Sequence, residues 1–86
     1  MKFGEIIEKM LAVNTAISVF GSTKKFNKEY QKRLVKIGKA IRKEKKLATF
    51  EDCEKLPPET ELTSQMVIDS FNNLCQWLST QHPDFK

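Results

Sequence analysis

Apolar residues recur at three- and four-residue steps through three stretches of the chain, and this spacing is typical of amphipathic helices. The first stretch, FGEIIEKMLAVNTAISVF, stops before Gly21, a residue type that is favoured just past the end of a helix. A second apolar line runs from Phe26 to Ile41, and a third follows Thr63, a residue type suited to capping a helix start. The pattern predicts three main helices, at about residues 3–20, 24–46 and 64–80.

The connector ATFEDCEKLPPET predicts a further, short helix at about residues 50–55. Thr49 and Asp52 resemble a capping box at its start, and two consecutive prolines follow it. The short GST connection between the first two main helices predicts that they form an antiparallel hairpin. Together these elements predict an all-α fold, a small bundle of three main helices plus a short connector helix, in a single domain covering residues 1–86.

The predicted helix at 24–46 is apolar on one side and basic on the other. The basic side holds six lysines: Lys28, Lys32, Lys36, Lys39, Lys43 and Lys46. Residues 24–46 carry eleven basic and two acidic residues, net +9, whereas residues 47–86 carry two and seven, net −5. This segregation predicts that the two parts attract each other, within one molecule or across a homo-oligomer. A chain of 86 residues also has a small core, which favours self-association.

Groups suited to catalysis are scarce. The single histidine, His82, lies far in sequence from Cys53 and Cys75, and its position near the end of the chain predicts a solvent-facing imidazole. Two cysteines and one histidine do not complete a tetrahedral zinc site, and no glycine-rich phosphate loop is present. The sequence therefore predicts a protein that is not an enzyme and that uses neither a metal nor a cofactor.

The distribution of charge also bears on membrane insertion. The longest uncharged stretches, 10–23 and 70–83, are 14 residues each, whereas a membrane-spanning helix needs about 20 apolar residues. Near the N-terminus, Lys2, Glu5 and Glu8 interrupt any apolar leader segment. These features predict a cytoplasmic protein with no membrane span.

A neutral face of the last main helix is the best candidate for binding a partner protein. Its residues follow one another at steps of four, three and four positions: Met66, Ser70, Asn73 and Trp77. Tryptophan and methionine supply buried area and often anchor protein interfaces, and Trp77 is the only tryptophan in the chain. The alternative is that a small bundle simply buries this face against its own chain. On the first interpretation, the six lysines would steer an acidic partner surface toward the face.

Nucleic acid is the alternative partner. Lysines spaced along about five helical turns could follow a phosphate backbone and release its counterions. However, only Arg33 and Arg42 accompany the lysines, although base recognition favours arginine, asparagine or glutamine. We also expect Phe26 and Tyr30 to lie on the apolar side of the helix, where they would be unable to stack on bases.

A short all-helical chain with a lysine-rich central helix and the connector ATFEDCEKLPPET resembles the small accessory regulators of T-even-type phages. Within that group it is most similar to the rIII lysis-inhibition proteins. The resemblance covers size and helical layout over most of the chain and assigns no function to individual residues. It implies a cytoplasmic antiholin that binds the cytosolic part of a holin and delays lysis of the host.

Overall fold

The computed structural model describes residues 1–81, which form an all-α bundle, as predicted. Four helices lie in this range: α1 Phe3–Phe20, α2 Lys24–Lys45, α3 Phe50–Glu54 and α4 Gln65–Gln81. Each observed boundary lies within one residue of the boundary expected from the apolar periodicity. Residues 1–81 contain no β-strand, and only an isolated antiparallel bridge joins Lys2 to Glu61.

Helix α2 is the central element, and its backbone approaches α4 most closely and then α3. Helix α4 runs antiparallel to α2. Trp77, near the end of α4, contacts Phe26 near the start of α2, whereas Ser64, just before α4, contacts Glu44 near the end of α2. This orientation places the N-terminal half of α2 beside the C-terminal half of α4.

Helices α1 and α2 run antiparallel, as predicted, because Met1 just before α1 and Lys45 at the end of α2 both bond to Glu61. Gly21 ends α1 with a φ of 81°, a left-handed value that glycine adopts without strain, and its N–H donates to the carbonyl of Ile17. Thr23 then caps α2, because its hydroxyl accepts a 3.0 Å hydrogen bond from the N–H of Phe26. In the hairpin, Met10 of α1 and Leu34 of α2 line the same groove.

The core is built from one apolar side of each main helix and from Leu62, which lies in the segment before α4 and is completely buried. Its other large buried members are Phe3, Ile6, Val13, Tyr30, Ile37, Ile41, Val67, Leu74 and Leu78. Burying a side chain of the size of leucine contributes about 1.5–3 kcal/mol relative to leaving it exposed. Leu62 therefore fixes the loop between α3 and α4 against the bundle.

The same loop caps the start of α1. The N–H of Phe3 donates to the carbonyl of Thr60, and the N–H of Gly4 donates to the carbonyl of Pro58, each at 2.9 Å. The first N–H groups of a helix have no partner inside the helix, so these bonds satisfy donors that would otherwise face water or be lost. The segment 57–62 is consequently a structural part of the bundle.

Helix α3 sits close to α2 because Gly38 has no side chain. A Cβ atom at Gly38 would lie 2.7 Å from the nearest ring carbon of Phe50, which is shorter than a carbon–carbon contact allows. The guanidinium of Arg42 lies 4.9 Å from the centre of the same ring. Phe50 is thus held between the α2 backbone and Arg42, while 40% of its surface remains exposed.

Candidate functional site

The fold brings the basic side of α2 and the neutral face of α4 to one surface groove. Two adjoining hollows, of about 690 and 230 Å³, share Glu29 and Lys32. We call them together the α2–α4 groove. It is lined by Thr23, Lys25, Phe26, Lys28, Glu29, Lys32, Arg33, Lys36, Ser70, Asn73, Trp77 and Gln81. Neither the lysines nor the α4 face alone would have shown that the two sets meet.

Trp77 packs against two side chains of α2. The Trp77 ring centre lies 5.0 Å from that of Phe26, with an interplanar angle of 23°, and 5.1 Å from the guanidinium carbon of Arg33, which lies over the ring. Both contacts are made to the π system of the indole, so Phe26 and Arg33 together fix the side chain in the groove. Trp77 is half-buried, and the remainder of its surface is exposed.

Glu29 is the acidic residue in the lining of this basic groove. Its carboxylate accepts a 3.0 Å hydrogen bond from Nε of Arg33, one helical turn away on α2. Both side chains are about one-third exposed, at 37% for Glu29 and 31% for Arg33. The pair orients the guanidinium beside Trp77, but its exposure to water limits its contribution to stability to about 1 kcal/mol or less.

The four residues of the predicted α4 face occupy different environments. Ser70 is buried, with 8% of its surface exposed, and Trp77 is half-buried against α2. Asn73 is exposed within the groove, and Met66, which is 51% exposed, lies one turn before Ser70. The groove thus gathers Ser70, Asn73 and Trp77, and of these Asn73 and the exposed part of Trp77 can reach a partner there. Met66 is accessible outside the groove lining.

All six lysines of the basic side are exposed. Lys28, Lys32 and Lys36 line the α2–α4 groove, whereas the other three continue along the outer surface of α2: Lys39, Lys43 and Lys46. Among residues 1–81, the side-chain ion pairs join Arg33 to Glu29 and Lys45 to Glu44, both within α2. None of the six lysines is paired with an acidic residue of the segment 47–81, so their charge stays available to a partner.

The expected positions of the two α2 aromatics need one correction. Tyr30 is buried in the core, as expected, and burial raises the pKa of its phenol. Phe26 is not confined to the apolar side, because it is half-buried and lines the groove next to Lys25 and Lys28. Its ring packs against both Tyr30 and Trp77, so it bridges the core and the groove.

The residues that sequence reasoning missed are Phe26, Glu29 and Arg33. All three lie on the α2 surface that turns toward α4, between the apolar line and the lysines. Their spacing of three, four and seven positions was a visible signal, because such residues share one side of a helix. What the sequence did not contain was the direction from which α4 approaches α2.

The cysteines do not form a reactive centre. Cys53 is buried, and its thiol lies 3.8 Å from the carbonyl oxygens of Thr49 and Gly38. Burial raises the pKa of Cys53, and burial likewise raises that of Cys75 although Lys9 acts in the opposite direction. Both thiols are therefore protonated at neutral pH, the form that is a poor nucleophile and a poor metal ligand. His82 lies outside the described residues.

Within residues 1–81, no group of three or more histidine, cysteine, aspartate or glutamate side chains is arranged to hold a metal ion. In the same range, no helix combines the length and the apolar character needed to cross a lipid bilayer. Comparison of the chain with protein-family models, with curated proteins and with solved structures gives no match in any of the three. The proposal for its function therefore rests on the geometry of the chain.

Proposed function

We propose that this protein is a small non-catalytic regulator that binds an acidic segment of another protein in the α2–α4 groove. The observation that carries the proposal is the position of Trp77, fixed against Phe26 and Arg33 inside a groove lined by exposed lysines. A preorganised aromatic anchor surrounded by charges of one sign is typical of a site that binds an oppositely charged polypeptide.

The packing of Trp77 favours a protein partner over nucleic acid. Proteins that bind single strands stack bases on open aromatic faces. Phe26 and Arg33 already pack against the π system of the indole, so a base would have to compete with them for that surface. The exposed part of Trp77 and the Asn73 amide suit the side chains and backbone of a peptide instead.

The lysines would act mainly on the rate of association. Exposed charges contribute little to the strength of a single contact, but several of one sign attract an acidic surface over about a Debye length. Lys28, Lys32 and Lys36 lie in the groove and would guide the partner to Trp77. We expect the affinity to fall as salt is added, chiefly through slower association.

The resemblance to rIII lysis-inhibition proteins supplies a specific candidate for the partner. On that basis the groove would bind the cytosolic part of a holin in the host cytoplasm, and binding would delay lysis.

Two triple variants test the proposal with matched charge changes. The groove variant replaces three lysines by Glu: Lys28, Lys32 and Lys36. The control variant makes the same replacement at Lys39, Lys43 and Lys46. All six positions are exposed, five of them on α2 and Lys46 at its C-cap, and both variants change the net charge equally. Binding to a polyglutamate peptide and to the purified cytosolic domain of a T-even-type holin is measured by titration calorimetry. We expect the groove variant to lose at least about tenfold more affinity than the control.

Nucleic acid binding, the alternative, predicts a different outcome in the same experiment. A phosphate backbone lying along α2 would contact lysines of both sets, so both triple variants would lose affinity for a DNA duplex to a similar extent, with a steep salt dependence. A protein that binds the duplex in this way, and binds neither acidic polypeptide at low salt, would contradict the proposed function.

A further inference from the structure

A second groove lies along α2 and is largely apolar. It has a volume of about 340 Å³ and runs between α1, α2 and α3. We call it the α1–α3 groove. Its apolar lining includes Ile7, Met10, Leu34, Val35 and Phe50. Val35 and Phe50 are 41% and 40% exposed, and the other three are partly buried, so the groove presents apolar surface to water.

The two grooves have distinct linings, because no residue lines both. At 100° per residue, Leu34 and Gly38 lie more than about 120° around the helix from Glu29 and Lys36, whereas Val35 lies only about 20° from Lys28. The grooves therefore adjoin each other along one side of α2.

The borders of the α1–α3 groove carry opposite charges. On the α2 side, Val35 lies one turn before Lys39, which is exposed. On the α3 side, the groove is lined by Glu54, which is also exposed. No ion pair within residues 1–81 joins Lys39 to Glu54. The groove thus has a basic border, an acidic border and an apolar floor.

We propose that the α1–α3 groove is the interface of a symmetric dimer, with a second copy of this chain as its occupant. A twofold axis through the groove places the basic α2 border of one copy opposite the acidic α3 border of the other, and the reverse pairing forms at the same time. The apolar floors, with Val35 and Phe50 near their centre, then cover each other. An unrelated partner would need its own matching pair of charged borders, whereas a second copy already carries them.

A dimer of this kind carries two α2–α4 grooves, one on each copy. The dimer stands independently of the proposed function, since its interface shares no lining residue with the α2–α4 groove.

Sedimentation velocity of the full chain over a concentration series tests the dimer. The wild-type protein should move from the 10.0 kDa monomer to a species of twice that mass between about 1 and 500 μM. Val35→Asp places a charge in the apolar floor and should raise the dissociation constant by at least about tenfold. Val19→Asp is the matched control, because Val19 is 79% exposed on α1 and does not line the groove.

The charged borders are tested by reversal and restoration. Glu54→Lys should weaken the dimer, because it places a lysine of one copy opposite Lys39 of the other. The double variant Glu54→Lys/Lys39→Glu should recover part of the lost affinity. Circular dichroism of each variant establishes that the helices are retained. A wild-type chain that stays at 10.0 kDa throughout, an assembly that keeps growing beyond the dimer, or equal effects of Val35→Asp and Val19→Asp would each overturn the proposal.

Neither result depends on the acidic partner. If the lysine variants show no specific effect on peptide binding but Val35→Asp dissociates the dimer, the proposed function fails and the dimer stands. The opposite pattern of results removes the dimer and leaves the α2–α4 groove as a binding site on a monomer.

Discussion

Glu44, in the last turn of α2, accepts a 2.7 Å hydrogen bond from the backbone N–H of Ser64, which lies just before α4. The same carboxylate accepts a second bond from the N–H of Thr63 at 3.1 Å, and only 11% of the Glu44 side chain is exposed. The expectation that Thr63 caps α4 is wrong by one residue, because the helix begins at Gln65 and Ser64 occupies the cap position. Glu44 satisfies the N–H groups of both residues before the helix. One side chain thus ties the end of α2 to the start of α4.

Removing this link should destabilise the bundle. We expect Glu44→Ala to lower the free energy of unfolding by about 1–3 kcal/mol, because two backbone donors lose a charged acceptor. Urea denaturation followed by circular dichroism measures the change. The control is Glu59→Ala, an exposed glutamate for which a change within about 0.5 kcal/mol is expected. Equal effects of the two substitutions would show that the cap is unimportant.

The same link makes stability depend on pH. Desolvation by itself would raise the pKa of Glu44, but the N–H groups of Ser64 and Thr63 and the nearby Lys45 outweigh it and lower the pKa below its ordinary value of 4.5. A carboxylate whose pKa is lowered by folding stabilises the fold above the unfolded value and loses that contribution as the pH falls through the folded value. The stabilisation should therefore be present above about pH 5 and decline below pH 4.5.

Thermal unfolding of the wild type and of Glu44→Gln, measured between about pH 3 and pH 7, tests this dependence. Glutamine keeps the shape of the side chain without its charge. We expect the wild type to be more stable at neutral pH and the two curves to converge toward the acid end. A constant difference over the whole range would mean that the charge of Glu44 does not contribute.

The contact between Gly38 and Phe50 predicts a change of sign in a double-mutant cycle. Gly38→Ala would ordinarily stabilise a helix by about 0.5–1 kcal/mol. Here the new methyl group would lie 2.7 Å from the Phe50 ring, so we expect a net loss of about 1 kcal/mol or more. In a Phe50→Ala background the obstacle is gone, and Gly38→Ala should stabilise the protein. Additive effects would contradict the close contact between α2 and α3.

The position of Trp77 predicts unequal consequences for two residues of the same α4 face. Trp77→Ala should lower the free energy of unfolding by about 2 kcal/mol or more, because the indole packs against Phe26 and Arg33. Met66→Ala should change it by less than about 0.5 kcal/mol, since Met66 is 51% exposed. Denaturation curves of the two single variants provide the comparison, and similar values would argue against the packing of Trp77.

Because Trp77 contributes to stability, substituting it is not a clean test of the binding surface. A variant without Trp77 loses packing as well as a partner contact, so its failure to bind would have two explanations. The lysines at the groove do not have this problem, because Lys28, Lys32 and Lys36 are exposed. Charge reversal at these positions changes the groove without emptying the core.

The sequence predicted the helices well because their signals are local. The apolar line from Phe26 to Ile41, the glycine at position 21 and the Thr49 cap act within a few residues of where they stand. The buried Leu62, the cap from Glu44 and the pairing of residues 57–62 with the start of α1 were not predictable in this way. They depend on contacts between parts of the chain that are distant in sequence.

The candidate site was predictable in its components and not in its assembly. The lysines and the α4 face were both recognised, but periodicity alone does not give the rotation of α4 about its axis relative to α2. That rotation buries Ser70, brings Trp77 onto Phe26 and leaves Met66 outside the groove. It is decided by how the large side chains of the core pack together, which is a property of the whole bundle.

The hydrogen bonds from Phe3 to Thr60 and from Gly4 to Pro58 have a consequence for the dynamics of α1. First-turn amides of a helix usually exchange with deuterated solvent quickly, because they have no partner and the helix end frays. Here both amides are bonded to a segment more than fifty residues away in the chain. Their exchange should therefore be slow and should follow the opening of the entire bundle, which makes the very start of the first helix a spectroscopic probe of global unfolding.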